Sequence, residues 1–364
     1  MKIAVIGAGV FGSTVAIKLA EAGFEVDLFE KEGDILQAAS GINQYRLHRG
    51  YHYPRSKETA MSSKNSESSF RKEYGEAVLD HNEHFYCIAK EGSKISGAEF
   101  LKFCYECELE HEKVELEHVH NHTIDFSIKG KEAVIDPIRL REIVREKIKE
   151  KEINLILNQV FLQNQIADYG QVINCTYANL NSIYENYPEA RREYQFELCE
   201  KSIWRFPEKF RNKSIVMLDG PFWCIDPYSD TGYHVVGNTD NQIHATNVGL
   251  FPQIPDEFKS LINRGLIKNP AITNFNKKVE SISYFLPEAR QAEHIGSMFT
   301  IRTVLPNLHH SDARPTEVTR INNKIINVFS GKIGNCVQAA DEVLRLLAKE
   351  NTATLPESKA AARV

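Results

Sequence analysis

The chain has 364 residues, 42% of them hydrophobic, and a net charge of -5. That length buries a full core and favours two domains, while the acidic balance argues against a nucleic-acid protein, which normally shows a basic face. Seven cysteines in so long a chain do not form the pattern of a secreted disulfide scaffold, and no run approaches the ~20 apolar residues of a membrane span.

In chain order, Lys2-Ile-Ala-Val-Ile6 is expected as a short buried strand. Lys2 and this apolar run could open a secretory leader, but Gly7, Gly9 and Gly12 interrupt it and no small-residue cleavage site follows. A cytoplasmic protein is therefore expected. The same glycines spell G-x-G-x-x-G through Ala8, Val10 and Phe11. A helix with Val15, Ala16, Leu19 and Ala20 on its apolar side follows and ends near Gly23, and a second strand from Glu25 to Phe29 closes on Glu30. Gly7 permits a tight turn, Gly9 lets main chain approach a pyrophosphate, and Gly12 lets helix pack on strand. Glu30, eighteen residues beyond Gly12, is placed to accept hydrogen bonds from a ribose. This unit alone does not separate FAD from NAD.

The next residues do. Ala38-Ala39-Ser40-Gly41-Ile42-Asn43 resembles the small-residue stretch of the D-amino-acid-oxidase-like flavoproteins near the flavin's phosphates and ribityl chain. His48-Arg49-Gly50-Tyr51-His52-Tyr53-Pro54 resembles their branch that oxidises 2-hydroxy acids such as 2-hydroxyglutarate. Asp136-Pro137, with Leu140, Ile143, Val144 and Ile148, is similar to the capped helix that re-enters the cofactor domain. Gln171–Tyr177 resembles the strand and turn that close on the dinucleotide, although Thr176-Tyr177 replaces the usual small residues. Asp226-Pro227-Tyr228 and His234–Thr239 resemble the paired strands beneath the substrate. Phe329-Ser-Gly331-Lys332-Ile333-Gly334, ahead of an amphipathic helix to Leu347, resembles the terminal flavin-contacting turn, with Lys332 as a departure.

The resemblance implies an α/β fold: a Rossmann-type FAD-binding domain interleaved with a smaller α+β substrate domain on a mostly antiparallel sheet. The FAD domain is expected at 1–78, 134–180 and 300–349, with crossovers near Val134-Ile135 and Phe299-Thr300. The substrate domain is expected at 79–133 and 181–299, and a frayed tail at 350–364. Strands are expected over Val119–Ile128, Ile215–Leu218 and Tyr233–Val236. FAD would be contacted by Gly7, Gly9, Val10, Phe11, Gly12, Glu30, Lys31, Ser40, Gly41, Val160, Thr176, Gly331, Lys332, Ile333 and Gly334. Non-covalent attachment is expected, because the related sarcosine-oxidising enzymes carry their linking cysteine near the position of Arg302. Here that position is flanked by Phe299, Thr300, Ile301 and Thr303.

The implied activity is oxidation of a C–O or C–N bond in a small carboxylate-bearing substrate, acidic or zwitterionic, with hydride passing to flavin N5. Arg302 aligns with the arginine that holds a substrate carboxylate, against the alternative of a packing ion pair. Lys332 would face the flavin's N1 edge, against the alternative of a solvated lysine. His48 and His52 are candidate proton acceptors, and Tyr53 and Tyr228 candidate hydrogen-bond donors. Arg46 and Arg49 could take a flavin phosphate or a second acidic group. Two other classes remain open, a non-redox flavin enzyme such as a sugar isomerase and a dinucleotide-binding redox sensor.

One cluster imitates a metal centre. Cys104-x-x-Cys107 precedes His111, His118, His120 and His122. The thiols share a helical stripe with Phe100, Leu101 and Phe103, and the last three histidines alternate as they would on one face of a strand, so packing is expected and no metal. The acidic run Glu106–Glu117 reads as a solvated helix face.

Overall fold

The computed structural model describes residues 1–307 and 314–353. Its mostly parallel sheet has six strands in the order Thr316–Arg320, Ile325–Ser330, Gln171–Asn174, Lys2–Ile6, Glu25–Phe29 and Asn154–Ile156. All neighbours are parallel except the first pair. Parallel strands buried on both faces explain why Lys2–Ile6 runs on from Lys2 as an uninterrupted apolar stretch. Helix Val10–Glu21 packs on this sheet beside the final helix, Cys336–Ala353.

Asp136 caps helix Pro137–Glu150, its carboxylate accepting from the Ile138 and Arg139 N–H groups, and Pro137 fills the first turn, where an N–H has no helical partner. Leu140, Ile143, Val144 and Ile148 are buried on its inner stripe.

The second sheet has nine strands and is mostly antiparallel. Its spine is the long pair Tyr194–Arg205 and Glu293–Val304. Ile243–Gly249 also pairs with Tyr194–Arg205, and the hairpin Trp223–Pro227 with His234–Asn238 follows, then Lys213–Leu218, Glu83–Ala89, Ile124–Gly130 and His111–Lys113. A small sheet of Arg46–Leu47, Ala133–Ile135 and Val78–Leu79 lies where the chain passes between the two large ones. No helix among the described residues is long and apolar enough to cross a membrane.

Some local expectations are corrected. Strand Glu293–Val304 runs unbroken through Phe299-Thr300, so the antiparallel sheet ends five residues later than the expected crossover there. The strand expected from Val119 begins at Ile124, because Asn121–Thr123 forms a 3-10 turn. His118, His120 and His122 thus lie before the strand, and His120 stacks on His122. The acidic run is not one helix: Gly97–Glu106 stops at a left-handed Glu108 (φ 51), and His111–Lys113 is extended. Cys104 and Cys107 pack with Phe100, Phe103 and Leu109. The last helix continues to Ala353, past the expected start of the tail at 350, and residues 354–364 lie outside the described residues.

Candidate active site

The first strand delivers the chain into a turn that tolerates almost no side chain. Gly7 has φ +91, and a Cβ there would come 2.9 Å from the Cys175 carbonyl oxygen. At Gly12 a Cβ would overlap the Gly7 carbonyl oxygen, so the glycine is required for helix and strand to meet. Gly9 caps the helix without a side chain, and its missing Cβ leaves a cradle bounded by Ser40 Oγ at 3.0 Å. Ser40 Oγ in turn accepts from the Val10 N–H at 2.9 Å. Glu30 closes the next strand with its carboxylate accepting from Ala8 N–H at 2.8 Å and Glu32 N–H at 3.0 Å. Burial raises the Glu30 pKa, and those two amides pull against the shift.

This turn opens into a cavity of about 1140 Å³ that continues across the inner face of the antiparallel sheet. That exceeds the roughly 300–1,000 Å³ of an ordinary small-molecule pocket and leaves room for a long cofactor with a substrate beside it. Of the residues expected from sequence, Gly7, Gly9, Val10, Phe11, Glu30, Lys31, Ser40, Val160, Thr176, Gly331, Lys332 and Ile333 line it, as do His48, His52, Tyr53 and Arg302. Val160 is 61% exposed and forms part of the rim.

At one end His48, His52, Tyr53 and Lys332 gather. The imidazole rings are 5.1 Å apart, each lies within 5.7 Å of the Tyr53 ring, and Lys332 Nζ sits 3.9 Å above that ring's centre. Burial holds both histidines well below their ordinary pKa, and the positive charges of Lys332 and Arg46 act in the same direction. Both are therefore neutral near pH 7, and the Nδ1 of each makes no hydrogen bond among the described residues, His48 Nδ1 lying 3.6 Å from Glu132 Oε1. Burial brings Lys332 down to about 7. The cluster is a set of proton-accepting groups beside a readily discharged ammonium.

Several expected residues fall elsewhere. Gly12, Gly41 and Gly334 are packing glycines behind the wall: a Cβ on Gly41 would overlap the Leu36 carbonyl oxygen, and one on Gly334 would press on Leu47. Tyr228 is off the cavity, tilted against Tyr45 with ring centres 5.4 Å apart. Arg46 lines the cavity but is spent internally, on Asp226 at 2.6 Å, Tyr86 at 2.8 Å, Glu132 at 3.1 Å and Ser214. Arg49 is paired with Glu67 and Glu110 away from the cavity. Neither arginine offers a vacant guanidinium. Arg302 reaches the cavity, but Glu197, directly opposite on the neighbouring strand, holds its Nε.

Sequence reading missed Gln195, Glu197, Cys199, Lys201 and Gln242, all on the cavity wall. The signal was partial: Gln195 and Glu197 alternate with Phe196 and Leu198, the period-two pattern of a strand with two different faces, but Cys199-Glu200-Lys201 breaks it and Gln242 lies outside this strand.

A glycine-lined turn, a helix N-terminus and a carboxylate at the next strand end define a dinucleotide-binding enzyme with a second, antiparallel wall facing its cofactor cleft. The FAD-dependent oxidoreductase (DAO) family model matches residues 2–266, and the chain belongs to that family, with FAD as its cofactor. It is 25% identical to the FAD-dependent monooxygenase kojA of Aspergillus flavus, over 95% of this chain and 86% of that protein. Glycine oxidase from Geobacillus kaustophilus has a similar fold, with a TM-score of 0.70 and 13% identity, covering 95% of this chain and 94% of that one. L-amino acid deaminase from Proteus vulgaris is similar with a TM-score of 0.69 and 11% identity, covering 96% and 93%.

Proposed function

We propose that this FAD-dependent oxidoreductase oxidises a C–N or C–O bond next to the carboxylate of a small amino or 2-hydroxy acid. The observation that carries the reading is the wall of the cavity beyond the cofactor turn. There the ammonium groups of Lys201 and Lys332 have no ion-pair partner among the described residues, and neutral imidazoles of His48 and His52 stand nearby. An uncompensated cation in a low-dielectric chamber favours an anionic ligand, and a neutral imidazole can take the proton that leaves a substrate hydroxyl or ammonium.

Gly7, Gly9, Val10 and Ser40 would hold the pyrophosphate of FAD, Glu30 the adenosine ribose, and the Gly331–Ile333 turn the ring end. Bound there, the flavin supplies the two-electron acceptor. The protein's part is to orient the substrate, exclude water and receive a proton at His48 or His52. Attachment is read as non-covalent, since the sequence neighbours of Arg302, namely Phe299, Thr300, Ile301 and Thr303, carry no thiol. The cofactor unit in this reading comprises 1–78, 134–180 and the described residues from Leu305 to Lys349, and the substrate unit comprises the antiparallel sheet.

Anaerobic mixing of the holoenzyme with amino and 2-hydroxy acids tests the substrate class. The expected result is bleaching of the flavin band with one 2-oxo acid formed per flavin reduced. A flavin that stays oxidised with every acid, yet bleaches with a neutral sugar or phenol, would overturn it. The likeness to kojA over 95% of this chain favours a second reading, monooxygenation. Under air, that reaction places an atom of labelled dioxygen in the product, whereas an oxidase leaves both atoms in hydrogen peroxide.

A further inference from the structure

Strand Tyr194–Arg205 sends alternate side chains to opposite faces of the sheet. Gln195, Glu197, Cys199 and Lys201 line the cavity. Glu200 points the other way and is fully buried, taking hydrogen bonds from His244 Nε2 at 3.1 Å, the Asn274 N–H at 3.0 Å, Thr273 and Ser297, with Lys278 Nζ 3.3 Å away. Lys278 also donates to Ser202 Oγ at 3.0 Å. This clamp fixes the rotation of the strand, so residue 201 is held toward the cavity.

On the cavity face the charges are unevenly matched. Arg302 is bound by Glu197, and Glu197 also accepts from the Gln195 amide at 2.7 Å. Arg55 is bound by Asp219 at 2.6 Å. Lys201 differs: its Nζ donates to Gln242 Oε1 at 2.8 Å, a neutral acceptor, and it forms no ion pair among the described residues. The carboxylate of Asp226 acts on it only at longer range and is already committed to Arg46 at 2.6 Å and Ser214 at 2.7 Å. An ammonium with one neutral partner keeps two N–H donors for a ligand. Lys332 is engaged differently, over the Tyr53 ring at the turn that closes on the cofactor.

We propose that Lys201, held toward the cavity by the Glu200–Lys278 clamp and steered by Gln242, anchors the carboxylate of the substrate in place of the Glu197-bound Arg302. The proposal rests on the reading that a carboxylate-bearing substrate is oxidised in this cavity. Arg302 stands opposite residue 197, four residues from Lys201, so the two positions are offset by roughly 13 Å of backbone, although the Arg302 charge still acts on Lys201. Their engagement separates their roles. A carboxylate at Lys201 gains a charge-assisted contact without displacing a protein carboxylate, whereas one at Arg302 has to compete with Glu197.

The test uses FAD-loaded protein and two readouts, perturbation of the flavin absorption band by acetate and benzoate against acetamide and benzamide, and steady-state kinetics with any acid that bleaches the flavin. Lys201→Met should weaken binding of the carboxylates at least about tenfold, leave the amides unchanged, and raise KM more than it lowers kcat. Lys201→Arg should recover part of the loss. Should Lys201→Met fail to hold FAD, Lys201→Gln, which keeps a hydrogen bond to Gln242, is expected to show the same shift. Carboxylate affinity and KM like those of the wild type in an FAD-loaded Lys201→Met or Lys201→Gln protein would overturn the role of Lys201 and leave the substrate class standing. If no carboxylate perturbs or reduces the wild-type flavin, the substrate class fails, and the assignment of Lys201 fails with it.

Discussion

The two ends of the cavity are built from different materials. The cofactor turn is made of main chain: Gly7 and Gly9 remove side chains, Ser40 ties up one amide and Glu30 two, and specificity comes from shape. The far chamber is made of side chains on a stiff sheet, where cations and acids are paired or left unpaired one by one. A backbone cradle tolerates no change at a few positions and wide change elsewhere. A wall of charged side chains can be retuned residue by residue, which suits it to setting the substrate.

The comparison makes its strongest prediction at Gly9. Gly9→Val should leave a folded, colourless protein with FAD affinity reduced more than about a hundredfold, because the added methyl groups fill the cradle beside Ser40. Normal flavin content in that variant would break the backbone account. In the chamber, Arg302→Leu strips Glu197 of its cation. Glu197 has only 5% of its side chain exposed, so thermal or denaturant unfolding should show a loss of about 1–3 kcal/mol. Arg302→Leu combined with Glu197→Leu should recover most of it. A single variant as stable as wild type would mean that the pair contributes nothing to the wall.

Lys332 gives a smaller and pH-dependent effect. Its pKa is lowered to about 7 by burial, so it is charged below that pH and neutral above it. If the Gly331–Ile333 turn holds the ring end as proposed, a positive charge there would favour the reduced flavin, so flavin reduction should slow as pH rises through about 7. Lys332→Met should show no such limb and should reduce slowly throughout. An unchanged profile in the variant would remove Lys332 from the chemistry. The smallest effect belongs to Tyr228, whose ring is tilted against Tyr45 away from the cavity. Tyr228→Phe should change KM by less than about twofold, and a large rise would bring that side chain back to the substrate.

The same contrast explains what was legible in the sequence. Glycine spacing, a strand-end acid and an Asp-Pro helix cap are local signals with one physical meaning each, so Gly7 through Glu30 and Asp136–Ile148 could be located by inspection. The FAD-dependent class and the interplay of parallel and antiparallel sheets followed from them and from the resemblance they carry. Lys201 has no such signature. Its proposed importance comes from strand register, from Glu200 on the opposite face, and from the absence of an ion-pair partner among the described residues, all tertiary features. The pairing of Arg46 and Arg49 was illegible for the same reason: their partners, Asp226, Glu132 and Glu67, lie outside their local sequence. The histidines after Cys107 show the converse error, since alternation suggested a strand where a 3-10 turn forms.

The central claim is that this turn and its acid hold one FAD per chain. Quantifying flavin in the purified, reconstituted protein, and then in the supernatant after acid precipitation, tests it directly. The account predicts about one FAD per chain, released into the supernatant. A well-folded protein that stays colourless when offered FAD would contradict it.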